Sequence, residues 1–553
     1  MTTAPSELMV TCATIHAAFE AAAERWPERA FLRVLLETAG AYGIEAGDVG
    51  YGELCTRAGS LADDYQQAGV KTGARVALLL ENRPAFFEHW FALNALGASV
   101  VPVNPDLRAA ELEYIFAHSE PVIAVAIDQR VDDLRMAVDV AGIQCEVITV
   151  ATSPATVQVR EIVSEDSTAR EREAAILYTS GTTGQPKGCV LSNLYFLNCG
   201  AWYSGTGGLC AISNVGECML TPLPLFHMNA MACSTMAMMA VGGTLTVLDR
   251  FHPSTWWQSV RESKASCVHY LGVVPTMLMS APVSDADQDH NVRFGFGAGI
   301  DKRLHAAFES RFGFPLIEAW AMTETGNGAV VAANHEPRKV GLNIFGRPAS
   351  DVEVRLVTDD GRAPDTDEPG ELLVRRAGAN PRYGFFTEYY KDPQATEAAW
   401  EGGWFHTGDI VQRNADGDMV FVDRKNNVIR RSGENIAAIE VESVLMRHPD
   451  IRAAAVSAVP DEVRGDEVFA CIVAQDATLE GEAQAHKLVD WMLSQLAYYK
   501  APGYVAFVET LPLTSTQKVQ RGELRKLALD LCASEQCIDT RALKRRQRDL
   551  SDS

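Results

Sequence analysis

The sequence predicts an α/β protein, and three observations carry that prediction. Short apolar strands alternate with amphipathic helices through the first half, the texture changes to turn-punctuated short strands after about Val340, and a mixed helix–strand region begins near Arg424. The first strand of the clear rhythm is Arg75–Glu81 (RVALLLE), followed by a helix over Arg83–Ala98 that Pro84 opens near its first turn. Ser99–Val103 and Pro121–Ile127 are further apolar strands, with the helical pattern AAELEYIFAH between them. Continuous apolar strands joined by helices predict parallel sheets covered on both faces. Beyond Val340, the strands Val352–Val357, Glu371–Arg375 and Asp418–Val422 are separated by DDGR, DEPG and NADG turns, which predicts a small antiparallel, barrel-like unit. The last region has a helix over Ala437–Arg447, strands over Ala453–Ala458 and Val468–Val473, a helix over Ala485–Leu496 and a terminal helix from Arg521. It is expected to form a compact α+β domain of ordinary size. The basic run Lys544–Arg548 (KRRQR) is expected to be a solvated helix end.

Composition narrows the function. In 553 residues, 49 Lys and Arg stand against 72 Asp and Glu, a net charge of −23 that argues against a surface built to grip nucleic acid or anionic lipid. Apolar residues, 47% of the chain, run along its whole length, which excludes low-complexity disorder. Twelve scattered cysteines contain no CxxC pair, and Cys532 with Cys537 is an incidental spacing, so buried reduced thiols are expected rather than a disulfide scaffold. Met1–Arg29 lacks a secretory apolar core, and the longest apolar stretch, Ala230–Val241, is too short to span a bilayer. A cytoplasmic protein without membrane insertion is the expectation.

The strongest local signal is Tyr178–Gly188, YTSGTTGQPKG, directly after the apolar run Ala174–Leu177. Gly181, Gly184 and Gly188 let the backbone approach a ligand. Thr179, Ser180, Thr182 and Thr183 supply hydroxyls, and Lys187 adds a cation. Many donors, little bulk and one positive charge suit a polyphosphate, although no GK[ST] closes the loop as a Walker motif does. Four more stretches accompany it: Ala319–Thr325 (AWAMTET), His406–Asp409 (HTGD), Asp423–Ile436 (DRKNNVIRRSGENI) and Leu511–Arg521 (LPLTSTQKVQR). Together, from about residue 12 to about residue 530, these resemble the adenylate-forming superfamily of acyl-CoA synthetases, amino-acid adenylation domains and firefly luciferase.

The resemblance implies an ATP-dependent carboxylic acid:CoA ligase. A carboxylate attacks the α-phosphate of ATP, pyrophosphate leaves, and a thiol then takes the acyl group from the adenylate and expels AMP. It implies a large domain over residues 1–423, binding ATP and acid and including a β-rich part over 340–423, and a mobile lid over 424–553. Thr179–Lys187 is similar to the family's β,γ-phosphate loop, Glu324 to its Mg²⁺-coordinating carboxylate, and Thr323 to its α-phosphate contact. Trp320 stands where the family usually has Tyr or Trp against adenine. Ala321 replaces a common Gly. Gly297, Ala298 and Gly299 match the segment lining adenine and acyl carbonyl, and Asp409 and Arg424 match the ribose partners. Lys518 matches the adenylation lysine, although Gln517 stands where Gly usually precedes it. Lys425 and Asn426 fall at the hinge, and Arg430, Arg431, Gly433 and Glu434 in the CoA channel. His227, Met228 and Asn229, from PLPLFHMN, and Met322 fall in the acyl pocket, while the Met-rich Met228–Met239 reads mainly as core. No counterpart of the Asp that holds an α-ammonium is evident, which disfavours an amino acid. Arg430 and Arg431 read equally well as solvated charges. RRSGENI with LAYYKAPGYVAFVETLPL looks nearest to carnitine/crotonobetaine-type ligases, and a quaternary ammonium would call for an aromatic or acidic cage. The alternative is an enzyme loading a carrier-protein phosphopantetheine in trans. ATP, CoA and Mg²⁺ are the implied partners, and a homodimer is compatible with a sequence that does not fix the oligomeric state.

Overall fold

The computed structural model describes residues 5–157, 168–179, 185–358, 360–424, 428–476, 481–512 and 519–545, and of Asp423 and Arg424 only the backbone. The chain divides into two compact units: residues 1–105, 116–177 and 188–423 form the first, and 106–115, 178–187 and 424–553 the second.

The first unit contains two large, mainly parallel sheets and a smaller antiparallel one. In the eight-stranded sheet, Leu316–Trp320, Phe294–Ala298, Cys267–Leu271, Cys218–Thr221, Thr244–Val247 and Ala30–Val34 run parallel in that order. Antiparallel Val331–Ala332 and Gly47–Gly50 close its two edges. In the seven-stranded sheet, Glu173–Thr179, Ser99–Pro102, Arg75–Leu79, Ile123–Ala126 and Glu146–Thr149 are consecutive parallel neighbours. Lys187–Ser192 adjoins Glu173–Thr179, so the polyphosphate-like loop joins adjacent strands. The helix Pro84–Ala95 buries Phe86, Phe87, Trp90 and Phe91 together with residues on its other faces. A helix apolar nearly all round belongs inside a core, and Pro84 begins it with a φ already suited to the first turn.

The barrel-like expectation resolves into a five-stranded antiparallel sheet. Val352–Val357 forms one edge and pairs with Gly370–Arg376, which in turn pairs with Phe405–Arg413 across a register shift between Glu371 and Leu373. The second unit is α+β. The long hairpin Ile451–Asp461 with Gly465–Ala474 pairs Ala455 with Cys471, and the helices Ala438–Leu445, Glu482–Gln495 and Arg521–Cys532 pack with this sheet around Val456, Phe469 and Ile472.

The basic run departs from its expected exposure at Lys544. Lys544 is not solvated: its side chain is fully buried against Glu467, which also receives the buried Arg431 guanidinium at 2.8 Å. Two cations share one carboxylate, so burial, with Arg431 beside it, pushes the Lys544 pKa down to about 7. All twelve cysteines are free. Among the described residues no helix is long and apolar enough to cross a membrane.

Candidate active site

In the first unit the parallel strands Phe294–Ala298 and Leu316–Trp320 end side by side, which places the Gly297–Gly299 segment next to the AWAMTET segment. Strand C-terminal ends in open α/β sheets are where ligands bind, because the chain turns away there and leaves a crevice.

Gly299 leaves the strand at φ +82°, and its carbonyl runs so close to Gly272 that a Cβ on Gly272 would lie 1.8 Å from Gly299 O. Only glycine fits at Gly272. Glu318, which sequence reasoning missed, holds this ledge. Its carboxylate accepts from Gly299 N–H at 3.0 Å, from Ile300 N–H at 3.3 Å and from the Tyr270 hydroxyl at 2.7 Å. Burial raises the Glu318 pKa against the pull of these donors. Strand alternation would have shown Glu318 on a buried face, a signal that this carboxylate has buried partners.

Trp320 ends the same strand, buried, and its Nε1–H donates to Asp409 Oδ2 at 2.8 Å. Asp409 is also buried, in the strand Phe405–Arg413, and its backbone N–H donates to the Thr407 hydroxyl. The structure thus joins the expected adenine-facing ring to the expected ribose carboxylate. Tyr at position 320 would offer no such indole donor.

The turn after Trp320 is pinned from two sides. Tyr195 donates its hydroxyl to Thr323 O at 2.9 Å, and Thr325 Oγ1 accepts from Met322 N–H at 3.0 Å. Glu324 is buried, its Oε1 receiving the Tyr389 hydroxyl at 3.0 Å. Burial and the adjacent Glu324 raise the Tyr389 pKa, so the phenol stays a donor. Among the described residues no cluster of three or more His, Cys, Asp or Glu side chains could cage a metal. A lone carboxylate still fits Mg²⁺, which keeps several waters and takes phosphate oxygens as its other ligands.

The acyl-pocket candidates lie on the PLPLFHMN turn. His227, Met228 and Asn229 are half-buried, and so is Met322. The methionines beyond them, Met231, Met236, Met238 and Met239, are fully buried core.

The remaining candidates group with the second unit. Thr179 ends one strand and Lys187 begins the next. Ser180, Gly181, Thr182, Thr183 and Gly184, the hinge residues Lys425 and Asn426, and Lys518 lie outside the described residues, as does the Arg424 side chain. Val428–Arg431 and Glu434–Ala437 form a hairpin whose two turn residues, Ser432 and Gly433, have φ +51° and +92°. That is the primed geometry of tight hairpins, which Gly433 suits. Arg430 and Arg431 are separated by strand alternation. Arg431 points inward onto Glu467 and is not exposed toward a CoA phosphate, which corrects that expectation, whereas Arg430 is half-exposed.

Comparison with known proteins agrees with this architecture. The family model described as AMP-binding enzyme matches residues 19–384, and that of the AMP-binding enzyme C-terminal domain matches 440–518. A sulfoacetate–CoA ligase of Cupriavidus necator is 31% identical over 92% of this chain and 97% of its own. A crotonobetaine/carnitine–CoA ligase of Proteus mirabilis is 29% identical over 86% of this chain and 92% of its own. In fold, a double mutant of o-succinylbenzoate CoA synthetase from Bacillus subtilis superposes with a TM-score of 0.76 at 22% identity, covering 92% and 98% of the two chains. The chain belongs to the AMP-binding enzyme family.

Proposed function

We infer that the protein is an AMP-forming acyl-CoA synthetase, joining a carboxylic acid to CoA through an acyl-adenylate. The observation that carries this reading is the Trp320–Asp409 hydrogen bond. It sets an aromatic face beside a carboxylate, the pair of groups a nucleoside needs, and the Thr323–Glu324 turn follows Trp320 directly. The two similar ligases, named for sulfoacetate and for crotonobetaine/carnitine, support CoA rather than a carrier protein as acceptor.

The residues divide the work by chemistry. Trp320 stacks on adenine and Asp409 accepts from the ribose hydroxyls, with Arg424 as a further donor. The ledge Gly297–Gly299, fixed by Glu318, lines adenine and acyl carbonyl. Thr323 donates to the α-phosphate, and the loop Thr179–Lys187 holds the β- and γ-phosphates. Glu324 would hold Mg²⁺, which when bound supplies positive charge against the phosphate oxygens. Lys518 brings its ammonium to the acyl carboxylate and α-phosphate as negative charge gathers between them. A rotation at Lys425–Asn426 then withdraws Lys518 and presents Arg430, Gly433 and Glu434 to CoA, keeping water from the mixed anhydride.

Incubation of the purified chain with ATP, Mg²⁺, CoA and a panel of short, branched, aromatic and betaine acids tests the reading by mass spectrometry. Acyl-CoA and AMP in equal amounts are expected for at least one acid. Turnover only with a holo-carrier protein, or ADP as product, would overturn it.

A further inference from the structure

Behind the PLPLFHMN turn lies a closed set of polar groups that the chemistry above does not use. His269, on the strand Cys267–Leu271, is fully buried, and burial pushes its pKa down to about 3. The imidazole is therefore neutral, with one N–H and one acceptor nitrogen. Nε2 lies 2.9 Å from the Tyr203 hydroxyl, and Nδ1 lies 2.7 Å from Asn229 Oδ1 and 2.9 Å from Ser234 Oγ.

Satisfaction of these groups fixes every proton. Tyr203 is fully buried, and His269 is the one hydrogen-bond partner of its hydroxyl among the described residues, so the phenol must donate to Nε2. The imidazole proton then sits on Nδ1, whose partner must be an acceptor, and that is Asn229 Oδ1. Ser234 Oγ–H turns to the Asn229 carbonyl at 3.2 Å, five residues back along a single π-helical turn, Asn229–Ser234. Such turns are frequent at functional sites. Reversing the carboxamide would set Nδ2–H against Nδ1–H.

Asn229 Nδ2 is left with two N–H groups and no partner among the described residues. Unlike Asn198 Nδ2, it is not sealed from the outside. It sits where burial changes, since residues 226–229 are half-buried and 230–241 are buried.

We propose that Asn229 is a specificity-determining residue, held by the Tyr203–His269 relay so that its amide donates to an oxygen on the body of the acid, away from the reacting carboxylate. The preferred acids then carry a hydroxyl, carbonyl or anionic oxygen where an isosteric acid has a methyl group. The proposal rests on the ligase reading and on the place of Asn229 in the acyl pocket.

The test is acid-dependent ATP–pyrophosphate exchange with matched pairs: 3-hydroxybutanoate against 3-methylbutanoate, 4-oxopentanoate against 4-methylpentanoate, and 5-oxohexanoate against 5-methylhexanoate. The oxygenated member is expected to win in at least one pair, by roughly tenfold or more in kcat/KM, the scale of a hydrogen bond left unmade. Asn229→Leu should bring that ratio to about one or below. Tyr203→Phe, which frees the His269 tautomer without touching the acid, should reduce it several-fold. Exchange with no preference in any pair, or a preference that survives both substitutions, overturns the proposal and leaves the ligase standing. Exchange with neither member of any pair, nor with any other acid, overturns the ligase reading and this proposal together.

Discussion

Glu324, proposed to hold Mg²⁺, is a buried carboxylate that receives the Tyr389 hydroxyl at 3.0 Å. Glu324→Gln keeps the shape and removes the charge. It should cost about a hundredfold or more in pyrophosphate exchange, the loss expected when a metal-held charge clamp is weakened. A Mg²⁺ titration checks this: full recovery at saturating metal would remove Glu324 from the phosphate site. Trp320→Phe keeps an aromatic face but loses the donor to Asp409, so KM for ATP should rise roughly fivefold, the scale of one modest hydrogen bond. An unchanged KM would show that the bond does not serve the nucleotide. The aromatic at 320 was legible from its motif. Its bond to Asp409 was not, because the two residues lie on strands of different sheets and meet only through tertiary packing. Arg430 and Arg431 teach the opposite lesson. Period-two alternation along Val428–Arg431 was there to be read, and it sends the second arginine inward to Glu467.

Among the elements, the ledge after Phe294–Ala298 depends on a glycine facing a glycine. Gly272→Ala would force the new methyl into Gly299 O. It should cost about 1–3 kcal/mol or more, the scale of overpacking a tight site, read as a lowered thermal midpoint. A midpoint within a degree of wild type would contradict the close approach. The C-terminal segment gives a pH-dependent prediction. The folded pKa of Lys544 lies near 7, below the value of an exposed lysine, so between about pH 7 and 10 the unfolded chain binds more protons than the folded one. Stability from this group therefore rises with pH across that window and is flat below it. Lys544→Met should remove that rise and leave stability equal or higher near pH 7, since an apolar side chain avoids burying a second cation. Denaturation midpoints of both chains at pH 6.5 and 9.5 decide the matter, and parallel pH profiles would contradict it. The strands Arg75–Leu79 and Val352–Val357 were readable because apolar runs between turn residues permit little else. The burial of Lys544 was not, because a basic run carries no local sign of a carboxylate waiting in a distant strand.

For the whole molecule, the division into two compact units falls between Asp423 and Arg424, with short segments 106–115 and 178–187 joining the second. If Lys518 serves only the first half-reaction, Lys518→Ala should lose pyrophosphate exchange by a thousandfold or so, on the order of removing a strong electrostatic stabiliser. Thioester formation from supplied acyl-adenylate should stay within a few-fold of wild type. Equal losses in both half-reactions would rule out the proposed rotation. The central claim, that this chain makes an acid reactive by adenylating it, is tested most directly by exchange of labelled pyrophosphate into ATP without CoA. Exchange that requires both Mg²⁺ and a carboxylic acid is expected. Exchange that appears with no acid present, or that no acid in a broad panel can elicit, would contradict it.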